Sequence, residues 1–181
     1  MSNLVDRLLT AYELVLKEPW STALSGKERV WFLVYDPAEQ RKVDLRLGDF
    51  ETATRKAGKR WVCISLKNCF PSWMANHEYK NEYFMSPDQL VDQLESEFKQ
   101  FAINYLKEEL DKQGTDDNTL IALRDVSSLF GFVRLSSVLD GTATSFKGRM
   151  LVFFPGEYDK NHYRLLDARD GWSYLARPIT A

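Results

Sequence analysis

The sequence predicts an α/β protein in which a mostly parallel sheet lies between two layers of helices and ends in a C-terminal hairpin. Three observations predict this fold. Short apolar runs of strand length recur along the chain, as is typical of strands buried on both faces. Amphipathic helical patterns separate most of these runs. The last two runs are separated only by a polar turn, which favours a hairpin.

The predicted strands are five short apolar stretches bounded by turn residues. They cover residues 30–35, 61–66, 119–123, 150–154 and 163–166. Asp36-Pro37 ends the first, and Pro155-Gly156 is expected to stop the fourth, because proline disfavours continuation of regular structure. The turn Asp159-Lys160-Asn161 precedes the fifth strand.

Four helices are predicted from apolar positions at helical spacing. They cover residues 3–17, 49–56, 87–113 and 128–139. Asp49 is expected to cap the second helix and Gly58 to end it. Ser86-Pro87-Asp88-Gln89 has the pattern of a capping box at the start of the third helix, and Gly141 is expected to close the fourth.

Composition limits the classes of function. The chain has 181 residues, 44% of them hydrophobic, which is enough for one well-filled core and predicts a single domain over residues 1–181. Its formal net charge of -2 provides no broad positive field for DNA or an anionic membrane. Asp6, Arg7 and Glu13 interrupt the apolar positions of the N-terminus, so no signal peptide is expected. We therefore expect a cytoplasmic protein without a membrane span.

The nucleotide-binding loops common in α/β proteins are missing from the sequence. Lys27 follows Gly26, but Glu28 stands where a serine or threonine would bind magnesium, and the pair precedes a strand instead of following one. Residues 36–42, which follow the first strand, contain no glycine that would let backbone amides surround a phosphate. No cofactor is expected.

Metal and thiol chemistry have weak support. Cys63, Cys69, His77 and His162 are potential zinc ligands, but their spacing matches no common zinc motif. Cys63 is expected to be buried in its strand, where a thiol packs as a small hydrophobic group.

Acidic residues at strand ends allow two interpretations. They are Asp36, Asp125, Glu157, Asp167 and Asp170. Ligands of open α/β sheets bind beyond the carboxyl ends of the strands, so clustered aspartates there would suit a metal-dependent phosphodiesterase or nuclease. The alternative is that the same residues begin turns or face solvent.

Two further clusters have structural and functional interpretations. Residues 70–84 interleave aromatic and charged side chains, which suits either a single-strand-binding platform or a short helical segment anchored on the sheet by Tyr79, Tyr83 and Phe84. The basic residues at positions 55, 56, 59 and 60 are expected to mark an exposed helix end.

The C-terminal third carries long distinctive strings. Residues 148–158 read GRMLVFFPGEY, and residues 163–172 read YRLLDARDGW. Together with RVWFLVYDP at residues 29–37, EYKNEYF at residues 78–84 and LFGFVR at residues 129–134, these strings resemble the BrxB family, whose members are encoded in BREX bacteriophage-exclusion operons. The resemblance spans most of the chain.

The resemblance implies a place in a multi-protein antiviral assembly. The family's partners in such an assembly are a PglZ-type protein related to alkaline phosphatases, an AAA+ ATPase and an adenine methyltransferase. It also implies a core similar to that of P-loop ATPases, here lacking the phosphate (Walker A) loop. A fold of this kind without a nucleotide site suits a non-catalytic adaptor, and direct binding to nucleic acid or membrane is not expected.

An adaptor needs aromatic and arginine side chains at its surface. The candidates lie in the region of the terminal hairpin: Tyr158, Arg169, Trp172 and Tyr174 as anchors, with Glu157 and Asp170 as charges at the rim. The alternative is that Trp172 and Tyr174 simply cover the end of the core.

Overall fold

The computed structural model describes residues 3–168 and 171–181, which form two helical layers around a sheet. The strands are β1 (Val30–Tyr35), β2 (Arg60–Ser65), β3 (Thr119–Arg124), β4 (Arg149–Asp159), β5 (His162–Leu165), β6 (Trp172–Ser173) and β7 (Arg177–Ile179). The α-helices are α1 (Leu4–Leu16), α2 (Gln40–Leu45), α3 (Leu47–Lys56), α4 (Cys69–Ala75), α5 (Lys80–Met85), α6 (Val91–Gln93), α7 (Lys99–Gln113) and α8 (Leu135–Thr142).

The central sheet is parallel and has the strand order β2-β3-β4-β1-β7. Its register pairs Phe32 of β1 with Val152 of β4 on one side and with Pro178 of β7 on the other. The second half of β4 pairs antiparallel with β5, and β5 pairs with β6. The predicted fold class, a mostly parallel sheet with helices and a terminal hairpin, is confirmed.

The two faces of the sheet bury different cores. Helices α1 and α3 cover one face, where Leu8, Tyr12 and Phe50 are fully buried. The Tyr12 hydroxyl lies 2.7 Å from the Thr54 hydroxyl, so these two buried polar groups satisfy each other. The segments from α4 to α8 and the terminal hairpin cover the other face, whose core is larger and richer in aromatic rings.

Strand β4 does not stop at Pro155, so this prediction is wrong. Its pairing with β3 ends at Val152, and beyond Pro155 the strand pairs with β5 from Gly156 onward. Proline is tolerated here because the strand is changing partners at that point. The hairpin closes through a two-residue turn, Lys160 and Asn161, both at positive φ, as the right-handed twist of paired strands favours.

Two predicted helix starts differ in the structure, and one helix was not predicted. Asp49 is not an N-cap, because α3 begins two residues earlier and Asp49 instead accepts a hydrogen bond of 2.6 Å from Arg46 Nε. Residues between β1 and α3, which had no predicted structure, form α2. Ser86 makes no side-chain capping bond; a 3₁₀ turn, Pro87–Leu90, follows it.

The fourth predicted helix is shorter than expected. Gly131 lies at φ +80°, outside the right-handed helical region, so residues 126–134 form a 3₁₀ turn and a loop, and α8 begins at Leu135. Gly141 lies within α8 instead of closing it. A Cβ there would come within 2.5 Å of Ile103 Cδ1, so this glycine allows α8 to pack closely on α7.

The edge positions of the sheet explain two further differences. Cys63 is exposed, contrary to prediction, because β2 is an edge strand and its side chains alternate between buried and open positions. The short edge strand β7 and the two-residue β6 were not predicted. In the described part of the chain, no helix has both the length and the apolar character needed to span a bilayer.

Candidate partner-binding surface

The carboxyl end of the parallel sheet, where α/β proteins usually bind ligands, is occupied by the chain's own side chains. The Tyr35 hydroxyl donates to Gln40 Oε1 at 2.8 Å, and Gln40 Nε2 donates to Asp44 at 3.0 Å. The same carboxylate accepts from Arg124 at 2.8 Å. Burial raises the pKa of Tyr35, with the charge of Asp44 adding to this effect, so the phenol remains a neutral donor.

Two of the strand-end aspartates, Asp36 and Asp125, make local hydrogen bonds. Asp36 Oδ1 accepts a hydrogen bond of 2.8 Å from the Ala38 amide and starts a 3₁₀ turn. Asp125 lies in the left-handed region and accepts from the Ser65 hydroxyl. Asp167 is exposed beyond β5, and Asp170 lies outside the described residues. In the part of the chain that the structure describes, no three potential metal-ligating side chains come together.

The cysteines and histidines form no shared metal site in the part of the chain that the structure describes. Burial raises the pKa of both thiols, that of Cys69 to about 12, which keeps them protonated near neutral pH. His77 Nε2 lies 3.1 Å from Glu97, and His162 is part of β5.

The basic cluster anchors two neighbouring elements. Arg60 donates to the backbone carbonyls of Gln113 and Gly114, both at 2.6 Å, so it binds the carboxyl end of α7. Arg55 pairs with Glu51 one turn earlier in α3. As predicted, basic residues lie at the end of a helix, α3. Arg60, however, binds the end of the neighbouring helix α7.

The terminal hairpin rests on a stack of aromatic rings that begins in the centre of the sheet. Phe32 of β1 stacks on Phe154 with a centroid distance of 5.0 Å and an interplanar angle of 7°. The ring of Tyr174 lies parallel to Phe32 at 5.8 Å, and Trp172 meets Phe32 edge-on at the same distance. Tyr163, fully buried, fixes the hairpin by donating a hydrogen bond of 2.6 Å to the Ala176 carbonyl.

The predicted anchors are therefore half-buried side chains on a rigid base. The Tyr158 ring lies 4.9 Å from Tyr163, and its hydroxyl donates to Asn161 at 3.0 Å. Glu157 is exposed and pairs across the hairpin with Arg164. Arg169, another predicted anchor, lies outside the described residues.

Tyr174 carries a buried hydroxyl that makes no hydrogen bond of regular geometry among the described residues, although the Asp140 carboxylate lies close to it. Burial, and then the negative charge of Asp140, raise the pKa of this phenol above its usual range. A buried polar atom without a partner is costly. The hydroxyl is therefore a group that a partner or a water molecule would satisfy.

Two grooves meet at this surface. The larger, about 640 Å³, is lined by Tyr158, Tyr174 and the Lys27–Asp140 ion pair among others. The smaller, about 390 Å³, is lined largely by residues 130–135. Trp172 and Arg134 line both grooves, so these two side chains form the boundary between them. We call Glu157, Tyr158, Trp172, Tyr174 and Arg134 the hairpin surface.

Arg134 was missed as a site residue. It is exposed and its guanidinium has no partner among the described residues, although it borders both grooves. The signal that could have found it is the string at residues 129–134, which ends on this arginine after two phenylalanines. Only the structure shows that Arg134 and Trp172 border the same grooves, because the two residues are far apart in sequence.

Comparison with known proteins gives one match. The family model described as BREX protein BrxB matches residues 65–177, which is more than half of the 181 residues. No curated protein and no solved structure matches the chain. The matched region runs from the end of β2 to the start of β7 and contains the hairpin surface. On this match, the chain belongs to the BrxB family of BREX phage-defence proteins.

Proposed function

We propose that this protein is a non-catalytic adaptor of a BREX complex, and that its hairpin surface binds a PglZ-type partner related to alkaline phosphatases. The observation that carries the proposal is the pair of grooves that meet at Trp172 and Arg134. Tryptophan, tyrosine and arginine are the side chains that most often dominate the energy of protein interfaces.

The aromatic stack supports this role. Trp172 and Tyr174 are held against Phe32, so they lose little conformational freedom when a partner binds. Arg134 adds an unpaired charge at the junction of two concave surfaces. A partner that supplies a carboxylate to Arg134 and an acceptor or donor to the Tyr174 hydroxyl would satisfy both groups.

The proposal includes a core of the P-loop ATPase kind that has no phosphate loop. In the parallel sheet, β1 lies between β4 and β7, and β2 lies at the opposite edge. The residues after β1 form a capped 3₁₀ turn and α2 instead of a glycine-rich loop. The Asp44–Arg124 pair occupies the neighbouring strand tips.

Co-purification of the protein with the PglZ-type partner tests this proposal. Arg134→Glu should abolish capture, because it places a carboxylate where the partner's acidic group would bind. Arg7→Glu, a charge reversal at an exposed position of α1, is the matched control and should capture the partner normally. Equal capture by both variants would remove the hairpin surface from consideration.

A cleavage assay tests the non-catalytic part of the proposal. The isolated protein, incubated with DNA and magnesium or manganese, should leave the DNA intact. Cleavage that is lost in Asp167→Asn would identify a strand-end nuclease and contradict the adaptor role.

A further inference from the structure

Exposed apolar side chains concentrate in one short segment of the helical layer. In the described residues, Tyr79, Phe84, Met85 and Val91 are 52%, 71%, 86% and 61% exposed, which makes them half of the large hydrophobic side chains that face solvent. Tyr79 and Phe84 were predicted to anchor this segment on the sheet, and that prediction is wrong. Only Tyr83 of the three is buried. A cluster of exposed apolar side chains is typical of an interaction site.

The same segment is strongly acidic. Residues 78–97 contain six carboxylates and a single lysine, whereas the whole chain has a net charge of only -2. The acids are Glu78, Glu82, Asp88, Asp92, Glu95 and Glu97. Lys80 donates to the Ala75 carbonyl and pairs with none of them. We call residues 78–97 the acidic segment.

A groove of about 340 Å³ runs through the acidic segment. Its walls are Tyr79, Glu82 and Tyr83 on the side of α5, and Gln89, Gln93 and Glu97 on the side of the following helix. Carboxylates and phenol rings are the groups that bind a lysine or arginine side chain, through ion pairs and cation–π contacts. Burial raises the pKa of Tyr83, and the negative charges of Glu97 and Glu82 raise it further. Both carboxylates therefore act on the side chains that line the groove.

The helix that forms one wall is irregular at this place. Leu94–Phe98 is a π-helical turn between α6 and α7. Phe98 is fully buried against Phe70 and Trp73, so the wide turn is anchored from inside while Glu95 and Glu97 face outward. Single π-helical turns inside α-helices are frequent at functional sites.

We propose that the acidic segment is a second docking surface, which takes a basic amphipathic helix from another protein. The apolar face of that helix would cover Phe84, Met85 and Val91, and a lysine or arginine side chain would enter the groove between Glu82 and Glu97. This charge pattern disfavours anionic membranes, nucleic acid and the same segment of a second copy, because all three are negative. The surface goes beyond the proposed PglZ contact and would let the protein bind two partners.

The two surfaces are neighbours but are not the same. Glu95 of the acidic segment also lines the smaller groove beside Trp172. Two ligands on adjacent surfaces are suited to an adaptor that brings its partners together. Glu95 is therefore left unchanged in the test, so that each surface can be probed alone.

Calorimetric titration with a synthetic helical peptide, leucine on one face and lysine and arginine on the other, tests the proposal. Phe84→Ser combined with Met85→Ser should weaken binding about tenfold or more, since truncating central anchors costs more than about 1.4 kcal/mol. Glu82→Lys should weaken it similarly. Leu14→Ser combined with Leu45→Ser, at similarly exposed positions elsewhere, and Glu13→Lys are the matched controls and should bind as the unaltered protein does.

Three results would overturn the inference. They are the absence of measurable binding, equal binding of a scrambled peptide of the same composition, and equal binding by the variants and the unaltered protein. Binding of anionic lipid vesicles by the unaltered protein, lost in the Phe84 and Met85 variant, would assign the surface to a membrane and also contradict it. Capture of the PglZ-type partner by this variant separates a failure here from a failure of the hairpin surface.

Discussion

The hairpin surface and the acidic segment present aromatic groups in opposite ways. Trp172 and Tyr174 are half-buried and pack against Phe32 in the centre of the molecule, edge-on and stacked respectively, whereas Phe84 and Met85 are largely exposed to solvent. The first arrangement stabilises the fold and shapes two grooves at the same time. The second contributes little to the fold, and the proposed docking of a partner helix would give its apolar side chains a role. Substitutions should therefore affect stability and binding together in one region and separately in the other.

Gly156→Ala should have the largest effect and should break the hairpin surface selectively. A Cβ at Gly156 would come within 2.1 Å of the Arg164 carbonyl oxygen in the facing strand. We expect the free energy of unfolding to fall by about 3 kcal/mol, as for overpacked cores, in a urea titration. Gly48→Ala, where a Cβ meets nothing within 4 Å in α3, should be neutral or stabilising by up to about 1 kcal/mol. Similar losses in both variants would show that crowding at the hairpin is not the cause.

Trp172→Ala and Phe84→Ala measure the contrast directly. Removal of Trp172 takes away ring contacts with Phe32, Phe154 and Tyr163, and we expect a loss of about 2 kcal/mol, less than for a fully buried tryptophan. Phe84→Ala should change the free energy of unfolding by less than about 0.5 kcal/mol. Equal losses would mean that the acidic segment is part of the core.

Alkaline unfolding should depend on Tyr163. Burial raises the pKa of this phenol in the folded protein, while in the unfolded chain it ionises near its ordinary value of about 10. The stabilising effect is therefore complete below about pH 10 and is lost as the pH rises toward the folded value. Tyr163→Phe should reduce the decline in stability above pH 10 by up to about 1.4 kcal/mol per pH unit, measured by denaturation at several pH values. An unchanged slope would show that the phenol ionises without unfolding.

Tyr163→Phe should also lose a small amount of stability at neutral pH. The variant lacks the hydrogen bond to the Ala176 carbonyl, whose contribution we expect to be about 1 kcal/mol. The effect of pH is separate, because it appears as a change of slope and not as a constant offset.

Arg134→Glu should have the smallest effect on the fold. Its guanidinium is exposed and unpaired in the described structure, so the free energy of unfolding should stay within about 0.5 kcal/mol of the unaltered value. This makes it the hairpin-surface variant in which a loss of binding cannot come from unfolding. A large fall in the melting temperature would show that Arg134 supports the loop before α8.

The strands of the parallel sheet could be predicted because burial on both faces forces a continuous apolar run, as in β1 and β3. Strand β7 has no such run. It contains Pro178, begins with the exposed Arg177, and exists because it pairs with β1, a long-range contact that no local pattern records. The prediction of a helix cap at Ser86 was also wrong. The local sequence signal was present, but a 3₁₀ turn formed there instead of a capped α-helix.

The candidate sites could likewise be predicted only in part from the sequence. Residue type and the family resemblance were enough to select Trp172 and Tyr174, but not to show that they pack against the sheet. Tyr79 and Phe84 of the acidic segment were assigned to packing because sequence gives their polarity and not their exposure. Phe84 follows the buried Tyr83 directly, and only the position of α5 decides which of the two faces solvent.

A single unbroken strand, β4, belongs to both the central sheet and the hairpin. Covalent backbone therefore connects Tyr158, at the edge of the larger groove, to Met150, which is fully buried between β1 and β3. Tension applied to the hairpin along this strand would load its parallel neighbours in shear, where many hydrogen bonds resist together. A force applied by a protein bound at the hairpin would then reach the central sheet through a stiff strand and not through a flexible hinge.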